Sequence, residues 1–283
     1  VLTILFDGIA YGMVLFVLAC GLSVTLGLMN FVNLAHGAFA MAGGYTTAIL
    51  MNRYGWPFVA TLPMAFLVPA FVGLVLERTL YRRLYNQSHL DQVLFSIGLV
   101  FMAVAATDYL MGSQPQLITL PTWLRGRVDI LGVQVGLYRS FIIVVCGILV
   151  VALQLALTRT RFGSRLRAAV DDARVARGLG IPVGFVFAAT FAVGSGIAGL
   201  GGALGAEILG LDPTFPLKFM IYFLIVVTVG GTTSLTGPFL ASLLLGITDV
   251  AGKYFVPELG AFVIYTVMIV VLVFRPKGLF ARA

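Results

Sequence analysis

Residues 159–177 read RTRFGSRLRAAVDDARVAR and lie between apolar runs at 139–157 and 184–209. Each flanking run is close to the roughly 20 residues a helix needs to cross the hydrocarbon core. Six arginines between two such runs mark a cytoplasmic loop of a polytopic membrane protein. Inside the loop, Leu166, Ala169, Val170, Ala173, Ala176 and Leu179 recur at steps of three and four, which predicts a helix over about residues 163–181. Ser164 is placed to cap its start, and Gly178, Gly180 and Pro182 to stop it. Arg167, Asp171, Asp172 and Arg174 fall on the opposite face. A helix lying on lipid favours Trp, Phe and Leu on its buried side. A stripe of small residues suits insertion into a partner protein's groove instead, with packing on the chain's own bundle as the competing reading.

Outward from this loop, further apolar segments run over residues 2–28, 33–51, 57–76, 93–111, 217–229, 238–251 and 261–274. Those at 33–51, 217–229 and 238–251 are short or interrupted by Gly and Pro, so the chain is expected to form about eight spans, some discontinuous. The fold class is an all-α polytopic membrane protein, one domain over residues 1–283. Composition agrees: 60% of residues are hydrophobic and 10% charged, against about 25% charged in an ordinary soluble domain. The net charge of +7 sits in clusters between apolar segments and follows no polar face, which argues against nucleic acid. Twelve of the 18 basic residues, among them Arg78, Arg82, Arg83 and Arg275, share one side if the spans alternate. By the positive-inside rule that side is the cytoplasm, with the C-terminus on it. The first segment lacks a basic leader and reads as a retained span, its start outside.

Chemistry is sparse. Cys20 and Cys146 each lie inside an apolar run, in no disulfide or metal spacing. His36 and His89 are far apart, and neither a catalytic constellation nor a metal motif occurs. Gly246 to Lys253 misses the nucleotide-binding loop by one residue of spacing, and Tyr254 stands where Ser or Thr is required. The chain is expected to be no enzyme, with ATP and Mg bound by other subunits. Two glycine-rich breaks, within residues 27–44 and 230–246, echo each other as in a repeat-built transporter with broken helices near the midplane. The polar residues there, Asn30, Asn33, His36, Thr228, Thr232 and Ser234, are the candidates for a translocation pathway. Asp249 and Lys253 stand four apart and are expected to pair. Asp108 and Glu207 fall near outer ends and are expected to be solvated. An ion-coupled secondary transporter would need an embedded Asp, Glu or sodium cage and would have no use for the small-residue loop helix.

The run Asn30-Phe31-Val32-Asn33-Leu34-Ala35-His36-Gly37, followed by Met41, Gly43 and Tyr45, resembles the hallmark of the branched-chain amino-acid ABC importer permeases, most closely the H-type Liv subunits. The resemblance continues through Phe162-Gly163, Arg167-Ala168, Leu179-Gly180-Ile181, Gly199 to Gly205, Gly230-Gly231, Gly237 and Arg275-Pro276-Lys277-Gly278-Leu279-Phe280. It implies a permease of the bacterial inner membrane working with a second related permease or a copy of itself, two cytosolic ATPase subunits and an extracytoplasmic solute-binding protein. The helix near 163–181 would be the family's coupling helix, with Ser164, Arg165, Leu166, Ala169, Val170, Ala173 and Arg174 at the ATPase cleft. Branched-chain amino acids are the implied solutes, and urea and short amides stay open because related permeases carry them. The run Gly231-Thr232-Thr233-Ser234 replaces a glycine of the family pattern by a hydroxyl residue.

Overall fold

The structure is a computed structural model that describes residues 2–29, 31, 33–85, 87–130, 133–231, 234–276, 278 and 279, with the backbone alone at 27–29, 130, 133 and 261. Helices α1 (Leu2–Met29), α2 (His36–Tyr54) and α3 (Phe58–Leu76) come first. A π-helical turn, Glu77–Tyr81, and one further turn, α4 (Arg82–Leu84), extend α3 into the first arginine-rich stretch. Then follow α5 (His89–Met111), α6 (Leu137–Arg159), the two loop helices α7 (Arg161–Asp171) and α8 (Ala173–Gly178), and α9 (Val183–Leu209). Helices α10 (Phe215–Gly230), α11 (Thr236–Phe255) and α12 (Gly260–Phe274) complete the bundle. Five helices are long and apolar enough to cross a membrane: α1, α3 with its extension, α5, α6 and α9. Two shorter apolar helices lie at Phe215–Gly230 and Phe262–Phe274. At 1.5 Å per residue, α10 spans about 24 Å, less than the ~30 Å hydrocarbon core, as a discontinuous segment should.

Apolar helices in lipid gain nothing from hiding their side chains, so backbone proximity and close packing decide who pairs. Small residues provide this. A methyl group added at Gly43 of α2 would fall on the Gly199 backbone of α9, and one at Gly202 on the carbonyl of Ala40. On the other side of α9, Gly199 lies against Ala65 and Pro69 of α3. Helices α1 and α11 meet in the same way, Gly246 against Gly12 and Gly8. Helices α1, α2 and α9 form the buried centre, while α5 and α6 lie mostly exposed at the periphery. Pro63 and Pro69 sit inside α3; neighbouring helices make such breaks tolerable in a bundle.

Between α5 and α6 the chain forms an antiparallel hairpin, β1 (Arg127–Ile130) with β2 (Val133–Gly136), pairing Arg127 with Gly136 and Ile130 with Val133. In the sequence this stretch shows only as the connection between the apolar segments at 93–111 and 139–157. The alternation of Arg127, Val128, Asp129 and Ile130 was its only signal, and four residues are too few to separate a strand from a loop.

The backbone contact between α2 and α9 generates a contrast. Gly43→Ala should lower the melting temperature of the solubilised protein by an amount equivalent to about 1–3 kcal/mol of overpacking. Gly98→Ala, on α5 with nothing near the added methyl, should be neutral or stabilising, because alanine favours a helix over glycine by about 1 kcal/mol. Equal melting shifts in the two variants would contradict the packing.

Candidate translocation corner and coupling surface

The chain turns between α1 and α2 inside the bundle, not at its edge. Gly21, eight residues before the end of α1 and so about 12 Å deep, would with a methyl group meet the His36 ring at 2.5 Å and the Gly194 carbonyl oxygen at 2.6 Å. The His36 ring also lies edge-on to Phe223 of α10, centroids 6.4 Å apart. The break is held by Asn33, whose side-chain oxygen accepts from the Ala35 N–H at 3.1 Å and from the Tyr81 hydroxyl at 2.9 Å. An Asn bonding the backbone two residues on is a turn former by chemistry. Asn33 and His36 are 1% and 2% exposed, yet Asn33 Nδ2 and His36 Nε2 have no hydrogen-bond partner among the described residues. Buried polar atoms left unpaired cost about 1–3 kcal/mol each, which sets these two apart from the polar groups paired around them.

Tyr81 reaches Asn33 because the π-helical turn inserts one extra residue, re-aiming the end of α3. Its ring is fully buried, packed on Phe31 at 5.3 Å, Phe95 at 5.4 Å and Phe191 of α9 at 4.7 Å. Glu77 opens the same turn and is 1% exposed. One of its oxygens accepts from the Tyr85 hydroxyl at 2.9 Å and the other faces Arg78 at 3.8 Å. Burial, and after it the Glu77 carboxylate, push the Tyr85 phenol well above its usual range, so it stays a donor. The Tyr85 ring in turn packs on Phe31 at 5.6 Å and on Phe187 of α9 at 5.7 Å. Sequence reading missed Glu77, Tyr81 and Tyr85. In LERTLYRRLY they look like residues of a charged loop, and only the π-turn folds them inward.

Of the remaining pathway candidates, Thr228 and Ser234 do not join this corner. Thr228 is exposed and donates to the Leu224 carbonyl within α10. Ser234 is exposed too, with its hydroxyl 3.1 Å from that of Thr236. Both flank the α10–α11 turn, where Gly231 takes φ +85°, a conformation open to glycine. The C-terminal stretch closes on this turn: the Leu279 N–H donates to the Val229 carbonyl at 2.8 Å, and Gly278, at φ +91°, lies against Gly231 and Thr228. Asn30 and Thr232 lie outside the described residues.

The loop helix departs from expectation in two respects. It is two helices, with the first capped by the Thr160 hydroxyl accepting from the Gly163 N–H, so Ser164 is not the cap. Asp172 then ends α7 and caps α8, accepting from the Arg174 and Val175 N–H groups at 2.8 and 3.0 Å. An Asp at a cap satisfies donors that a continuous helix would use internally. Second, the small-residue stripe faces inward. Leu166, Ala169 and Ala176 are buried, and Ala169 and Ala176 pack with Val183, Ile181 and Phe187 at the start of α9. Val170 and Ala173 are half-buried. Part of the stripe, Ala169 and Ala176, thus packs on the chain's own bundle, while Leu179 of the same stripe stays exposed. Outward face Ser164, Arg165, Arg174, Val175 and Leu179, the last two 57% and 75% exposed.

Asp249 and Lys253 pair at 2.6 Å as expected, the carboxylate 1% exposed and the ammonium 5.6 Å from the Tyr11 ring centre. Asp249 and Glu77 are thus acidic groups inside the bundle, each with a partner of opposite charge.

The family model described as "Branched-chain amino acid transport system / permease component" matches residues 4–272. The high-affinity branched-chain amino acid transport system permease protein LivH of Escherichia coli (strain K12) is 25% identical, covering 98% of this chain and 94% of its own length. The corresponding protein BraD of Pseudomonas aeruginosa is 27% identical over 98% of this chain and 95% of its own. LivM of Escherichia coli (strain K12) is 26% identical over 94% of this chain and 68% of its own length. No solved structure matches.

The Asn33–Tyr81 bond can be isolated by a double-mutant cycle. Tyr81→Phe and Asn33→Ala should each destabilise the protein, and the double variant should lose about 1 kcal/mol less than the sum. Additive effects would show that the two side chains do not hold one another.

Proposed function

The chain belongs to the family of branched-chain amino acid transport system permease components, and from that premise we propose that it passes branched-chain amino acids inward through the Asn33–His36 corner. The observation that carries this reading is the helix break that buries two polar atoms, Asn33 Nδ2 and His36 Nε2, without a hydrogen-bond partner among the described residues. A zwitterion needs hydrogen-bonding partners along its way, and a strongly charged site there would trap it. Weak neutral groups such as the Asn33 amide and the His36 imidazole solvate without holding.

In this reading the arginine-rich ends of α3, α6 and α12 face the cytoplasm of a cell whose inner membrane holds the protein, and the C-terminus lies there as well. The similarity to both LivH and LivM supports pairing with a second, related permease, or with a copy of itself. Two ATPase subunits supply the work, and an extracytoplasmic binding protein supplies the solute. The exposed side of α7 and α8, with Arg165, Arg174, Val175 and Leu179, is the docking surface for the ATPase. The buried side fixes both helices to the start of α9, so a push on one moves the other.

The experiment is reconstitution of the complete complex in proteoliposomes. ATP hydrolysis and uptake should be stimulated more by leucine, isoleucine or valine with the binding protein than by urea or a short amide. A stronger response to urea or an amide would remove the amino-acid assignment. In the same system Leu179→Asp should weaken co-purification of the ATPase subunits about tenfold or more without lowering the permease's melting temperature. Ala169→Trp should act the other way round, lowering the melting temperature because its site is filled by the chain's own bundle. ATPase loss with Ala169→Trp at an unchanged melting temperature would return the docking face to the small-residue stripe.

A further inference from the structure

At the end of the bundle away from the arginine-rich stretches, a cavity of about 690 Å³ opens between the start of α1, the start of α6, the end of α9 and the hairpin. Its size falls within the ~300–1,000 Å³ of small-molecule sites. Five charged side chains line it, three basic and two acidic: Arg125, Arg127, Arg139, Asp7 and Glu207. Two of these cancel, since Arg139 and Asp7 form an ion pair. Glu207, Arg125 and Arg127 have no ion-pair partner among the described residues. The wall is firmly placed, because Tyr138 beside them donates from its hydroxyl to the Leu204 carbonyl of α9 at 2.6 Å. Leu120, Leu124 and Ile208 supply an apolar side to the same space.

We propose that this cavity is an outer acceptor site for an aliphatic α-amino acid, which it holds before the solute enters the bundle. A cavity with free guanidinium groups alone would select an anion, and one with a free carboxylate alone a cation. Free groups of both signs beside an apolar wall match a molecule carrying both charges and a hydrocarbon side chain. Glu207 receives the ammonium, and the guanidinium fork of Arg125 or Arg127 receives the carboxylate, a geometry in which arginine bonds two oxygens at once. Leu120, Leu124 and Ile208 face the side chain. The paired Asp7 and Arg139 hold α1 to α6 and leave the other charges unshared. Because these groups are at the mouth, binding there is solvated and reversible, which suits a site that must pass its ligand on. The site deepens the permease reading and rests on it for the direction of transfer.

The test measures equilibrium binding of radiolabelled L-leucine to the complete complex in lipid nanodiscs, with the binding protein omitted. Isovalerate, which lacks the ammonium, and isoamylamine, which lacks the carboxylate, serve as competitors. Leucine should compete about tenfold better than either, the usual value of one charged hydrogen-bonding contact. Glu207→Gln should abolish the preference over isovalerate while keeping that over isoamylamine. The double variant Arg125→Gln and Arg127→Gln should do the reverse, each with unchanged melting temperature. Leucine competing no better than its analogues, or both variants binding as the native complex does, overturns the site. So does intact leucine binding in variants that have lost only their affinity for the binding protein, which would make the patch a docking surface. ATP-driven leucine uptake by the native complex is scored separately: uptake without binding here removes this site alone, and absence of leucine uptake removes the amino-acid assignment on which the site rests.

Discussion

Contact between helix backbones, made possible by residues with little or no side chain, is the constraint on which the rest of this bundle depends. Helix α9 meets α2 through Gly43, Ala40, Gly199 and Gly202, meets α1 through Gly21 and Gly194, and meets α3 through Ala65, Pro69 and Gly199. In lipid no hydrophobic force holds two apolar helices together, so dispersion over closely fitted backbones has to. Such surfaces have few ways of fitting. A helix seated this closely shifts with its neighbours as a body or leaves its seat, because packed interfaces are bistable and do not deform continuously. The position of α9 is therefore common property of α1, α2 and α3, and through Ala169 and Ala176 also of the loop helices.

The same hub carries the polar corner. Phe187 and Phe191 of α9 reach Tyr85 and Tyr81, and Tyr81 reaches Asn33 at the break between α1 and α2. Between the loop helices and the candidate pathway there is then a continuous set of packed rings ending in one hydrogen bond. The contacts are continuous, and the π-helical turn places the last link. Toward the opposite end, Asp212 at the mouth of α10 shows how an exposed loop is fixed. Its partial burial alone would raise the carboxyl, but bonds from Lys218 and Thr214 outweigh that and hold it below its usual range.

Much of this was legible in the sequence, for definite reasons. Lipid imposes near-uniform apolarity on spans, so the nine apolar segments coincide with nine helices among the described residues. The break at Asn33 was legible because Asn and Gly are turn formers, and the Asp249–Lys253 pair because spacing by four puts both on one helix face. Facing was not legible. Leu166, Ala169 and Ala176 make a stripe whichever surface they meet, and periodicity cannot say whether that surface is a partner or the chain's own α9. Nor can it show that Asp172 serves as a cap, since the stripe runs on unbroken through α7 and α8. Glu77 and Tyr81 escaped because arginines surround them, and composition averages over the single extra residue of a π-turn. Thr228 and Ser234 were grouped with Asn33 by residue type, whereas the fold places them at a different turn under the C-terminal stretch.

The central claim is that α9 and α2 form one body, so that displacement of the loop helices reaches the Asn33 corner without being absorbed by sliding between helices. Its most direct test is the distance between spin labels on Phe185→Cys at the start of α9 and Tyr54→Cys at the end of α2, both on exposed positions, with the native Cys20 and Cys146 buried. The distance is measured by pulsed electron paramagnetic resonance on the complete complex, without nucleotide and with ATP trapped. The account predicts a distance conserved to within about 2 Å, the size of an ordinary helix shift at an interface. A larger change between the two states, toward the roughly 5 Å of a one-turn slip, would show α9 sliding on α2 and contradict it.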